Sequence, residues 1–186
     1  MDRLMKTMKV IRMLIPAVLL STFLYILLHE FGHVIVLWTV GADITEFSIL
    51  SAHVSYIGGE WTNLSDRWMH VNGAFFPLVV SFIYMLFYKK SIANMFYRVF
   101  SAFFVLMPLF SLLAWVVIPF FYVSGQVPDN DDIYKFLYNF TADYPAYFVT
   151  VVSLIVIICF ISITMKKGIV SNFIETIRKI KSEASE

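Results

Sequence analysis

Four stretches of this 186-residue chain stay apolar long enough to cross a bilayer, and polar clusters separate them. A hydrocarbon core of about 30 Å takes about 20 residues of helix, and the runs cover approximately 12–40, 69–88, 99–123 and 146–165. The first is too long for one perpendicular span, so tilt, a bend at Pro16 or projection past the bilayer must absorb the excess. It lacks a small-residue cleavage site and is expected to act as an uncleaved anchor. Residues 44–50 and 53–57 instead alternate apolar with polar positions, rich in β-branched and aromatic side chains, which predicts a short hairpin outside the membrane. Ile169, Phe173, Ile177 and Ile180 recur at helical spacing among lysines and Arg178. That tail, 166–186, reads as a basic amphipathic helix lying on anionic lipid at the cytoplasmic interface. The pattern as a whole predicts an all-α membrane protein: one polytopic domain over 1–186, about four transmembrane helices, and a small hairpin.

Composition agrees, with 60% hydrophobic and 15% charged residues and a mean hydropathy of +0.78. A net charge of +1 argues against a nucleic-acid partner. Cys159 is the only cysteine, which excludes an intrachain disulfide, and its apolar neighbours suggest an inert helix-packing residue. The connecting segments alternate in sign. Arg3, Lys6, Lys9 and Arg12, then Lys89, Lys90 and Arg98, then Lys166, Lys167, Arg178, Lys179 and Lys181 mark one side. Acids dominate 41–67 and 124–145. The positive-inside rule therefore places both termini in the cytoplasm of a multi-pass cell-membrane protein, and both acidic segments on the far side.

Inside the first apolar run stands His29-Glu30-Phe31-Gly32-His33. An ionisable side chain at a bilayer's centre costs about 2.5–3.5 kcal/mol on insertion scales, so such residues mark function. On a helix, positions four apart are separated by about 40° around the axis and roughly 6 Å along it. His29 and His33 can thus present two imidazoles to one metal ion, with Glu30 beside them to reach a bound water. Two neutral histidines plus an oxygen ligand suit a single Zn2+ with an open fourth position. A buried polar cluster that merely joins helices rarely needs this trio.

A third ligand must come from elsewhere, and no carboxylate lies inside another span. His29 lies roughly 25 Å of helix rise beyond Arg12, near the boundary from which 124–145 emerges. Asp129, Asp131 and Asp132 are the candidates there. Asp132 is favoured because it opens a helix over Ile133–Leu137, and a ligand on a docked helix is held rigidly. Asp131 suits the cap of that helix. His53 and His70 read as interfacial polar residues, next in line as ligands only if all three aspartates fail. In Asn72-Gly73-Ala74-Phe75-Phe76-Pro77, Gly73 would admit close approach of a helix or substrate backbone. Asn72 could donate to a substrate carbonyl or an oxyanion, while a helix start with a proline in its first turns explains the same residues without any function.

Taken in order, the HExxH helix, Asn72 to Pro77 and a downstream aspartate at Asp132 resemble the site-2-protease-like intramembrane zinc metallopeptidases. The likeness covers roughly residues 20–140. The family's usual Leu-Asp-Gly motif and its accessory domains have no counterpart here. The resemblance implies a minimal-core protease hydrolysing membrane-embedded or juxtamembrane peptide segments: His29, His33 and Asp132 hold zinc, and Glu30 is catalytic. Its partners would be a membrane protein or peptide substrate and the bilayer, with its catalytic end on the extracytoplasmic side. The alternative is a non-catalytic metal-binding or transport protein, or a scaffold that binds transmembrane helices, with no need of Glu30. Substrate identity and oligomeric state are not encoded in any motif.

Overall fold

The computed structural model describes residues 2–138, 140 and 143–185. The side chains of residues 2–7, 9–10 and 183–185 fall outside the described set, including the Arg3, Lys6 and Lys9 charges counted toward orientation. In chain order the elements are α1 (Asp2–Thr39), β1 (Ala42–Ser48), β2 (His53–Gly58), α2 (Asn63–Phe87), α3 (Met95–Val123), α4 (Asp132–Tyr138), α5 (Tyr144–Lys166) and α6 (Ile169–Ser185).

Four of these helices are long and apolar enough to cross a membrane: Ile11–Thr39 within α1, then α2, α3 and α5. Together they suggest a membrane protein. Their outward faces carry Leu19, Phe23, Phe110, Phe148 and Ile158 largely uncovered, a surface at odds with water but suited to acyl chains. The expected spans are recovered, with starts two to six residues earlier for α2, α3 and α5. Local capping chemistry sets two of those starts. Thr62 and Ser65 form a reciprocal capping box on α2, and Asn94 Oδ1 accepts from the Tyr97 N–H on α3 at 2.9 Å. α1 is a single helix that carries Pro16 within it.

α3 touches every other helix and forms the spine. Around it, Leu78, Met85, Val105, Leu109, Leu112, Trp115 and Phe160 build the main core. Buried hydroxyls are satisfied along the way: Ser81 donates to the Phe104 carbonyl at 3.2 Å and Ser101 to that of Tyr97 at 2.6 Å. A second, smaller core of Val36, Leu37, Ala42 and Met69 seats the hairpin on α1 and α2. The hairpin is antiparallel, with Ala42 opposite Gly58 and Ser48 opposite His53, and its register shifts between Ile44 and Glu46. Gly41, at φ 70°, turns the chain from α1 into it.

Two expectations are refined. The apolar side of α6 docks on the protein: Ile169 is fully buried in the main core, and the Phe173 ring meets that of Phe103 edge-on at 5.8 Å. Asn172 Nδ2 also donates to Tyr88 Oη and the Lys90 carbonyl, at 2.7 and 2.9 Å. Hydrophobic spacing on a terminal helix fits lipid and protein equally; here protein covers Ile169 fully and Phe173, Ile177 and Ile180 in part. Cys159 is exposed on α5 rather than buried between helices.

Candidate metal centre

The hairpin, the N-terminal end of α2 and α4 gather at the end of the bundle where α1 finishes, and the HExxH motif lies within that gathering. One turn of α1 separates His29 from His33, and their Nε2 atoms stand 3.2 Å apart. His33 Nδ1–H donates to the Met69 carbonyl on α2 at 2.9 Å, which leaves Nε2 bare toward the site. The His29 ring lies edge-on to that of His33 at 4.9 Å.

Asp132 closes the group. It is the first residue of α4, and its Oδ2 lies 3.4 Å from Nε2 of His29 and 3.4 Å from Nε2 of His33. Three donor atoms separated by 3.2, 3.4 and 3.4 Å form a nearly equilateral triangle. A tetrahedral ion with bonds of about 2.0–2.1 Å separates its ligands by about 3.3–3.4 Å. The triangle therefore matches one face of such a site, and His29, His33 and Asp132 could hold a metal ion. Burial opposes the charge on Asp132, but the imidazoles of His29, His33 and His70 around it outweigh burial and hold the carboxyl well below the usual carboxylate range.

Glycines make room for this geometry. A Cβ on Gly73 would lie 2.6 Å from both Cε1 and Nε2 of His33 and 2.9 Å from Nε2 of His29. Gly73 thus clears space for the imidazoles themselves, and the approach it permits is α2 against α1. A Cβ on Gly32 would collide with the Asn72 carbonyl oxygen. Of the two readings of Asn72 the structural one holds: its Nδ2 donates to the Gly32 carbonyl at 2.6 Å, buried, and clamps α2 to the motif helix.

The other aspartates divide their roles. Asp131 Oδ1 accepts from the backbone N–H groups of Ile133 and Tyr134 at 2.8 and 3.3 Å and so caps α4. Asp129 lines the same cavity without joining the donor triangle. His53, on β2, bonds Ser55 Oγ at 2.7 Å and also lines the cavity.

His70 is the residue that sequence reasoning underrated. It is 6% exposed, and its Nδ1–H donates to Asp132 Oδ1 at 3.0 Å. A signal existed in Asp66, His70 and Gly73, which fall at helical spacing on one stripe of α2.

Glu30 is 3% exposed, yet it lines the cavity of about 730 Å³ that opens over the donor triangle. Ala52, His53, Val54 and Tyr56 of the hairpin form one wall of that cavity, and residues 129–132 form another. Comparisons with protein families, with curated proteins and with solved structures return no match for this chain.

Proposed function

We propose that this chain is a zinc-dependent endopeptidase of the membrane, cleaving peptide segments embedded in or adjoining the bilayer. The observation that carries the proposal is the position of Glu30. A metal-storage or transport site needs only ligands, whereas here a buried carboxylate lines the same cavity as the His29, His33 and Asp132 donors. Two imidazoles and one carboxylate are a zinc donor set that leaves a fourth position open. When bound, zinc would polarise the scissile carbonyl and acidify water in the cavity. Glu30 accepts the proton of the attacking water and returns it to the leaving amine nitrogen. The likeness to the site-2-protease-like metallopeptidases, carried by the HExxH helix, supports the same reading.

The substrate approaches as an extended strand. Among the described residues β2 pairs only with β1, so its other edge is open, and His53, Val54 and Tyr56 of that strand line the cavity. Strand addition there would present an unwound backbone to Glu30. The basic 89–98 loop and basic tail lie at the opposite end of the bundle, which supports a catalytic end on the side away from the cytoplasm.

The test is Glu30→Gln, assayed on synthetic transmembrane peptides in proteoliposomes. Hydrolysis is expected to fall by about 10²–10⁴-fold with zinc content unchanged. Wild-type hydrolysis in this variant would remove Glu30 from the reaction and favour simple metal handling.

A further inference from the structure

Several contacts hold α4 against the bundle without touching the Asp132 carboxylate. Ile133 and Leu137 are buried, Tyr122 Oη donates to the Leu137 carbonyl at 3.1 Å, and the Arg67 guanidinium lies 3.7 Å from the Phe140 ring centre. These place the backbone of a seven-residue helix, too short to be stable alone. They do not set the torsion that swings Oδ1 and Oδ2 of Asp132. One contact does. His70 Nδ1 holds Oδ1 at 3.0 Å while Oδ2 stands 3.4 Å from both ligand imidazoles. His70 rides on the buried face of the long α2 span, and its Nε2 faces Asp66 one turn back at 3.9 Å.

We propose that His70 is a positioning residue for the metal centre: by engaging Oδ1 it makes Asp132 a one-oxygen ligand and keeps the ion's fourth position open. The inference rests on the metal reading above. A carboxylate with both oxygens free can turn both toward one ion, as carboxylates do at other metal sites. That would fill the position a water or a peptide carbonyl needs in a catalytic site. A bond from a buried imidazole prevents that rotation, and partners of this kind typically contribute about 10–100-fold to metal affinity.

The experiment compares the full-length wild type with His70→Asn, His70→Gln and His70→Leu, each loaded with zinc or with cobalt. Asparagine carries an amide N–H at the branch position that Nδ1 occupies, whereas glutamine carries it further out, toward Asp66. Zinc affinity is read by chelator competition, and coordination number by the intensity of cobalt's visible absorption, strong for four ligands and weak for five. His70→Leu and His70→Gln are expected to lose about 10–100-fold in affinity and to weaken the cobalt absorption, while His70→Asn restores both. The thermal midpoints of the metal-free proteins separate any general loss of fold, which would not reproduce the asparagine–glutamine difference. Wild-type affinity and spectrum in His70→Leu, or an asparagine variant as impaired as leucine, would overturn the positioning role alone. A wild type that takes up neither metal would overturn the metal reading and this inference together.

Discussion

A methyl group on Gly73 would sit 2.6 Å from Nε2 of His33, inside any permitted contact distance. The smallest residue of α2 is therefore matched to the His33 ring on α1, and neither helix can change there without the other. Gly73→Ala is expected to push the imidazole out of the donor triangle. Overpacking of this kind costs about 1–3 kcal/mol, which corresponds to about 5–150-fold in zinc affinity. Chelator competition measures it, and an alanine variant with wild-type affinity would show that the two helices are not held at this spacing.

The neighbouring acids on α4 give a second contrast. Asp131 caps the helix and Asp132 faces the imidazoles, so their alanine variants should fail differently. Asp131→Ala is expected to lose about 0.5–2 kcal/mol of stability while still taking up one zinc. Asp132→Ala is expected to fold and to lose the metal. Bound zinc and thermal midpoints of both proteins check this, and the reverse pattern would exchange the two roles.

Much of this site is legible in the sequence because helical spacing is a local property. His29, Glu30 and His33 lie on one helix, and a 3.6-residue period brings the histidines together before any packing occurs. Asp132 is legible for a related reason: the cap residue, the helix start and the apolar positions at Ile133 and Leu137 adjoin in the chain. His70 and Asn72 are different. Their partners, Asp132 and the Gly32 carbonyl, lie 62 and 40 residues away, and only the docking of α2 against α1 and α4 reveals them. The face of α6 was ambiguous for the same reason, since nothing in the tail distinguishes a lipid surface from the flank of α3.

Acidification gives a third prediction. The depressed carboxyl of Asp132 keeps its charge, and its contribution to stability, above its ordinary unfolded value of about 3.9. That contribution is lost only as pH falls through the lower folded value. Between pH 8 and 5 Asp132 therefore adds no slope. Imidazole ligands must be neutral to bind metal, so zinc release on acidification should be accompanied by proton uptake. Zinc content against pH, with protons counted by calorimetry in buffers of different ionisation heat, tests this. Occupancy that stays flat to pH 5 without proton uptake would exclude the histidines as ligands.

The most direct test of the central claim, that His29, His33 and Asp132 together hold one catalytic ion, is elemental analysis of the purified full-length protein beside its three single alanine variants. Close to one zinc per wild-type chain, with loss of the metal in each variant, is the predicted result. A wild type without near-stoichiometric zinc, or variants that retain it fully, would contradict the account.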